Sequence, residues 1–326
     1  MHFLRASDAL KKCNGCKCVW YCDKKCQNKH RKVHKHECKV IMNILDQRGG
    51  KLNLGKELDI GPRGEVPPRE ECPICMRVLP IQEILQTYYA CCGKTICGGC
   101  DFQHKIKSRE QAVASTCAFC REPMSVSDDN ERSLQGIDLG VKRQPDEEVL
   151  VRLSKRVELK DPDALLCMAL AHGRGELGLP VDQGKCIELL RESAGLGLSG
   201  ALYQLGQCYQ NGKMGLEQNK EKGQKYLEKA AEGGHLTSKH NLGCGEWETG
   251  DRVAAIRHWQ LAAAGGFKNS LNNVILSFQE GLLHHGDLSK ALQAFYLARA
   301  EIKSDDRDKY IAYLKLKGEY KEEHDL

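Results

Sequence analysis

Cys91-Cys92-Gly93-Lys94-Thr95-Ile96-Cys97-Gly98-Gly99-Cys100 places four thiols within ten residues, and two further pairs flank it, Cys72-Pro-Ile-Cys75 upstream and Cys117-Ala-Phe-Cys120 downstream. Two residues between thiols let one tight turn present both sulfurs to a single tetrahedral ion, the usual build of a structural zinc site. Eight thiols in four pairs make two closed sites. A piece of about 50 residues buries too little apolar surface to fold securely alone, and structural zinc, worth about 10–16 kcal/mol in finger peptides, supplies the difference. Residues 72–124 therefore read as a zinc-stabilised module.

Outward from this stretch, cysteine stays concentrated toward the start of the chain. Of 18 Cys in 326 residues, fourteen precede residue 121. The first cluster, within residues 10–40, comprises Cys13-x-x-Cys16, Cys22-x-x-x-Cys26 and His34-x-x-x-Cys38, with Cys18 and His30 between them. His34 and Cys38 are four apart, so on a helix they face the same way and can share an ion, with Cys13 and Cys16 as partners. Met1–Ala9 carries no apolar h-region or cleavage site, so the expected setting is intracellular, cytoplasmic or nuclear, where thiols stay reduced and free for metal. No run approaches the roughly 20 apolar residues of a bilayer crossing, which argues against a membrane partner. Residues 1–40 hold 11 Lys/Arg against 3 Asp/Glu. These lysines scatter along a short helix without a series of base-stacking aromatics, which argues against nucleic acid.

Residues 41–71 carry Gly49, Gly50, Gly55, Gly61, Pro62, Gly64, Pro67 and Pro68 and read as a linker. A polar linker and a charged helix follow over 125–160, then helical repeats over 161–301 and a charged tail over 302–326, expected to fray after one last helix. The repeat shows as a constant offset of 37: Met168-Ala169, Leu205-Gly206 and Leu242-Gly243 align, as do Gly175 with Gly212, Ala194 with Ala231 and Gly197 with Gly234. In the second copy Leu202, Leu205 and Tyr209 follow helical spacing, Gly212 and Gly215 break the helix, and Asn219 caps a second one. That second helix carries Tyr226, Leu227, Ala230 and Ala231 on one face and ends at Gly233-Gly234. Each copy is thus a helix-loop-helix hairpin. The third, about 236–267, loses most of its loop. The fourth, about 268–301, has drifted, with Ala291, Phe295 and Ala298 marking its second helix. The stripes read as core packing, and Cys167, Cys186, Cys208 and Cys244 as small apolar residues. The predicted fold class is multidomain: two small zinc-stabilised modules followed by an all-α solenoid of helix hairpins.

The pattern Ala, Leu-Gly, Tyr, Gly, then Lys-Ala and Ala-Ala-x-x-Gly resembles Sel-1-like repeats, relatives of the tetratricopeptide hairpins that mostly serve as adaptors. The run from Cys16 to Cys26, with His34 and Cys38, resembles the later three-quarters of a MYND finger. In that family Cys22 and Cys26 join an upstream C-x-x-C pair; here either Cys18 or His30 improvises, the site is degenerate, or the start codon was assigned internally. MYND fingers mostly bind short proline-containing peptides. The spacing over 72–120 resembles a RING finger. That resemblance implies interleaved ligands: Cys72, Cys75, Cys97 and Cys100 on one zinc, Cys91, Cys92, Cys117 and Cys120 on the other. His104 is read either as a substitute ligand or as a solvated helix-face histidine.

RING domains mostly act as ubiquitin ligases, restraining a ubiquitin-charged conjugating enzyme so that a lysine can attack, which is catalysis by orientation without a nucleophile. By resemblance, Ile74 stands at the apolar contact to the conjugating enzyme, and Arg121 either at the position whose guanidinium bridges both partners or as an ordinary surface arginine. No catalytic side chain is expected, and a four-ligand zinc is closed to hydrolytic chemistry. Two functions follow as expectations. One is a RING-type ubiquitin ligase with substrate held by the repeats and adaptor peptides by the N-terminal finger. The other is a non-enzymatic adaptor using the same modules, with two zinc ions in the RING-like module and one or two in the MYND-like one.

Overall fold

A computed structural model describes residues 11–12, 20–21, 70–81, 85–111, 113, 116–124, 146–283 and 285–320. The chain divides into two compact units, Pro67–Leu242 with Glu301–Leu326, and Met1–Val66 with Gly243–Ala300. In the second of these, β1 (Lys11–Lys12) pairs antiparallel with β2 (Trp20–Tyr21).

The larger unit begins with the cysteine-rich module. β3 (Gln86–Tyr89) and β4 (Lys94–Cys97) form an antiparallel hairpin in which Gln86 pairs with Cys97 and Tyr89 with Lys94. Its loop is Ala90-Cys91-Cys92-Gly93, closed by the amides of Cys92 and Gly93 donating to the Tyr89 carbonyl. Gly93 takes φ +67°, and a Cβ there would lie 2.3 Å from the Arg156 guanidinium and 2.5 Å from an Asp161 carboxylate oxygen. Only glycine meets both conditions. α1 (Gly98–Glu110) follows directly from β4. The apolar core here is small, built of Leu79, Tyr89, Ile96, Ala118 and Met124 with the buried Cys72, Cys97 and Cys117.

α2 (Asp146–Glu158) leads into the hairpins α3 (Pro162–Arg174) with α4 (Gln183–Gly195), and α5 (Ser199–Asn211) with α6 (Lys220–Glu232). Several of these boundaries have a chemical reason. Asp161 accepts from the amides of Asp163 and Ala164, Asp182 from that of Lys185 and Asn219 from that of Lys222. Gly175 and Gly212 end α3 and α5 in the left-handed conformation. The shared core comprises Leu165, Met168, Ala169, Ile187, Leu190 and Leu205 with Cys186 and Cys208, so these two cysteines pack as small apolar groups. Burial holds both thiols above their ordinary range.

α7 (Leu236–Thr249) and α8 (Arg252–Ala264) are separated by two residues, the shortened loop read from the third copy. α9 (Lys268–Gln279) and α10 (His285–Ile302) follow. In the smaller unit Ile256, Trp259, Leu271, Phe278, Leu288 and Phe295 make one continuous core.

The chain's end holds the one last helix expected there, and that helix is docked. α11 (Asp305–Leu316) is capped by Ser304 and carries Asp305, Asp306 and Asp308 in its first turn, where the helix dipole favours negative charge. Its apolar residues find partners within the larger unit: Leu314 and Tyr320 are buried with Leu85, beside Tyr310 and Tyr313. The high charge of this segment masked that stripe.

Gly206 and Gly223 mark the tightest approach in the α5–α6 hairpin. A Cβ on Gly206 would meet Leu227 Cδ2 at 2.8 Å and the Gly223 carbonyl at 3.2 Å. The first hairpin tolerates Ala169 at the matching register, where its second helix presents Cys186. Gly206→Ala is therefore expected to cost about 1–3 kcal/mol by overpacking, read as a lower Tm with unchanged helical content.

A second expectation concerns acid. Burial pushes His235 down to about 4. Its Nδ1 accepts from the Ser238 amide at 3.2 Å, capping α7, and its ring stacks on Tyr203 at 4.5 Å. The unfolded imidazole takes its proton near pH 6.5 and the folded one only near 4, so stability falls as pH drops through that window and levels off below it. The full effect is about 3 kcal/mol. Asp163, pushed up to about 6 by burial and by the charges of Glu70 and Asp161, works in the opposite direction over part of the same range. Comparison with His235→Asn, which retains a cap acceptor but does not titrate, isolates the histidine: the variant should lose less stability than wild type between pH 6.5 and 4.5 in urea denaturation.

Candidate metal centres and the groove beside them

Cys72-Pro-Ile-Cys75 and Cys117-Ala-Phe-Cys120 fold into the same knuckle. In the first, the Met76 amide donates to the Cys72 carbonyl at 2.8 Å and the Cys72 amide to the Arg77 carbonyl at 2.8 Å, while Glu71 bridges to Val78. In the second, the Arg121 amide reaches the Cys117 carbonyl at 3.1 Å and the Cys117 amide the Glu122 carbonyl at 2.8 Å, while Thr116 bridges to Pro123. The residue after each second cysteine is forced left-handed, Met76 at φ +55° and Arg121 at φ +65°. Such a conformation costs a non-glycine residue about 1–2 kcal/mol. Both turns accept that strain; each buries its first cysteine, Cys72 or Cys117, and leaves its second nearer the surface. The third cysteine source is the loop of β3–β4, with Cys91 and Cys92, and the fourth is the start of α1, with Cys97 and Cys100.

These four sources combine into two groups. The sulfurs of Cys72, Cys75, Cys97 and Cys100 all lie within 4.8 Å of one another, as do those of Cys91, Cys92, Cys117 and Cys120. A tetrahedral ion with metal–sulfur bonds of about 2.3 Å has sulfur–sulfur edges of about 3.8 Å. The edges here include Cys75–Cys97 at 3.8 Å, Cys92–Cys117 at 3.9 Å and Cys91–Cys120 at 3.6 Å. Backbone amides complete the surroundings: Cys97 N donates to Cys72 Sγ at 3.4 Å, and Phe119 N and Cys120 N donate to Cys117 Sγ at 3.4 and 3.5 Å. Donors of this kind favour thiolate over thiol and orient ligands around a cation.

Hydrogen bonds from the Cys100 and Cys97 thiols hold Cys72 far below its ordinary range, and the bond to Cys72 drives Cys100 far above it. In the other group burial raises Cys91, and pushes Cys92 up to about 11, the nearby Cys117 adding to both. The donor set fits a soft, thiophilic dication.

His104 belongs to neither group, nor is it simply solvated. Its Nε2 lies 3.0 Å from the Thr116 carbonyl and its Nδ1 3.3 Å from Arg121 Nη1. Because a guanidinium can only donate, Nδ1 accepts and Nε2 carries the proton. The ring thereby ties α1 to the second knuckle. A contact absent from the sequence reading is the buried Asp101, which accepts from Tyr89 Oη, from Thr87 Oγ1 at 3.2 Å and from Lys105 Nζ at 2.9 Å. Burial and the Asp101 charge push the Tyr89 hydroxyl well above its usual range. The network fastens β3 to α1, and its only sequence trace is a polar residue at an inward-facing helix position.

Beside the sulfur groups runs a groove of about 650 Å³ lined by Ile74, His104, Lys107, Ala118, Arg121 and Asp306. Ile74 is 41% exposed on its rim. Cys13, Cys16, Cys22, Cys26, His34 and Cys38 lie outside the described residues, as do Cys18 and His30.

Comparison with known proteins bears on two stretches of the chain. The MYND finger model matches residues 4–38, and the Sel1 repeat model matches residues 162–198, 199–235 and 240–267. A SET and MYND domain-containing protein of Dictyostelium discoideum is 46% identical over 41 residues, 13% of this chain. A histone-lysine N-methyltransferase of Arabidopsis thaliana is 46% identical over 39 residues, 12% of this chain. In each case the match spans 8% of the relative's own length. Among solved structures, a Sel1 repeat protein from Oxalobacter formigenes is similar at 26% identity and TM-score 0.37, over 39% of this chain and 98% of that one. A protective antigen of uropathogenic Escherichia coli with an SLR fold is similar at 22% identity and TM-score 0.40, over 52% and 36%. No helix among the described residues is long and apolar enough to cross a membrane. The chain carries a MYND finger at its start and Sel1 repeats across residues 162–267, with two gathered sulfur groups between them.

Proposed function

We propose that this chain is a zinc-scaffolded adaptor that holds other proteins together. The observation carrying the reading is that one chain joins a MYND finger at residues 4–38 to Sel1 repeats over 162–267, two kinds of protein-interaction module. Zinc in the intervening module is assigned to Cys72, Cys75, Cys97 and Cys100, and to Cys91, Cys92, Cys117 and Cys120. Each ion has four protein ligands and no open position, so its work is structural. In the N-terminal finger Cys13, Cys16, His34 and Cys38 form one site, and Cys22 and Cys26 contribute to a second. Total zinc is then about three per chain, or four if that second site is completed. The methyltransferase activity named for the relatives stays with them, since the shared stretch is about 40 residues of each.

A second reading has a specific observation in its favour. Ile74 and Arg121 flank the same groove, which suits the RING-type resemblance of residues 72–124. A ubiquitin-conjugating enzyme seated there would be oriented, with its thioester, toward a substrate held by the repeats, and no side chain of this chain would enter the chemistry.

One experiment separates the two. The purified full chain is mixed with activating enzyme, a panel of conjugating enzymes and ubiquitin, alongside Ile74→Ala and Arg121→Ala, with bound zinc measured in each sample. The adaptor reading expects about three zinc per chain and no ubiquitin conjugates. Conjugates that appear with wild type and diminish in both variants at unchanged zinc content would replace it with the ligase.

A further inference from the structure

The C-terminal helix reaches the first sulfur group at Cys75, 232 residues away in sequence. Arg307, in the first turn of α11, is 4% exposed. Its Nη2 lies 3.6 Å from Cys75 Sγ, and its Nη1 donates to the carbonyls of Val78, at 2.7 Å, and Ile302. These partners are two neutral carbonyls and a sulfur. A buried guanidinium needs a counter-charge, and here the thiolate group is the one at hand.

The cysteine loop is shaped to admit this helix. Between Cys97 and Cys100 stand two glycines, and each is where α11 comes closest. A Cβ on Gly98 would lie 2.1 Å from Tyr310 Cε1, and one on Gly99 would lie 2.7 Å from the backbone nitrogen of Arg307. Phe102, one turn further along α1, packs against Tyr313 and Tyr310 with ring centres 4.9 and 5.6 Å apart. On the other side, Arg77 Nη1 donates to the Lys303 carbonyl at 3.1 Å. The first knuckle, the glycine pair and the sulfurs all touch the same short segment.

We propose that Arg307 is the outer-sphere cation of the first sulfur group, so that metal held by Cys72, Cys75, Cys97 and Cys100 and docking of residues 301–320 stabilise each other. Four thiolates around a dication carry two net negative charges, and the guanidinium offsets part of that charge while fixing the Cys75 sulfur. Take the metal away, and the sulfurs lose the ion that gathers them beside Arg307; take the helix away, and the Cys75 sulfur loses its guanidinium donor. Such coupling is reciprocal. The inference rests on the zinc assignment above. The second group receives no such contact from α11 among the described residues and serves as an internal control.

The test uses the full-length protein as purified. Zinc is drawn off with increasing chelator, newly freed thiols are trapped with N-ethylmaleimide, and mass spectrometry reads peptides containing Cys72 and Cys75 separately from those containing Cys117 and Cys120. In Arg307→Met, Cys72 and Cys75 should become labelled at chelator concentrations about 10-fold lower or more, within the 10–100-fold range typical of outer-shell changes, while Cys117 and Cys120 keep the wild-type profile. Arg307→Lys, which retains the charge without the planar fork, should fall between. A complementary arm needs no variant: in wild-type protein, hydrogen exchange over residues 305–316 should rise as Cys72 and Cys75 become labelled. An unshifted profile in Arg307→Met, an equal shift at both groups, or exchange over 305–316 indifferent to metal would each overturn the coupling. Absence of zinc from these cysteines at the outset would instead remove the zinc assignment itself.

Discussion

The four cysteine sulfurs of each group lie within 4.8 Å of one another, and as thiolates they repel strongly unless a cation lies among them. Residues 70–124 are arranged around that constraint. Their apolar core is small, and two turns carry left-handed non-glycine residues, Met76 and Arg121. Neither a short hairpin nor a single helix would hold such turns in place unaided. With dications in both groups, the knuckles, the β3–β4 loop and the start of α1 are cross-linked into one plate. What that plate presents outward, the groove edged by Ile74 and Arg121, is then fixed as a consequence.

The same constraint reaches into the rest of the larger unit. Gly93, beside Cys92, lies against Arg156 and Asp161, and Asp161 is also the cap that starts the first Sel1 hairpin. Gly98 and Gly99 open the other side of the module to α11. The cysteine-rich module is therefore not a bead on a string: its glycines are contact points with α2, with the cap of the first hairpin and with α11.

Part of this was legible in the sequence, and the reasons are physical. The offset of 37 between Met168-Ala169, Leu205-Gly206 and Leu242-Gly243 exposes the hairpins because each copy solves the same local packing problem with small residues at the crossing. Asn219 and Gly212 announce helix ends because capping is local chemistry. The gathering of sulfurs into two groups is not fixed by spacing, which allows several partitions of four pairs; only a family resemblance chose among them. His104 could not be placed, since its partners Thr116 and Arg121 meet it across the module. Asp101 leaves no pattern in the sequence, because Tyr89 and Thr87 reach it from β3 across the module. Arg307 was hidden by its neighbours: Asp305, Asp306 and Asp308 make the segment look like a solvated tail, while the apolar positions Tyr310, Tyr313 and Leu314 find partners only through the tertiary fold.

The central claim is that sulfur-bound metal organises this part of the chain, and X-ray absorption at the zinc edge of the full-length protein tests it most directly. A first shell dominated by about four sulfurs at roughly 2.3 Å, with only a minor nitrogen contribution from the N-terminal finger, is the expected spectrum. A shell rich in oxygen at shorter distance, or a coordination number near six, would contradict the account.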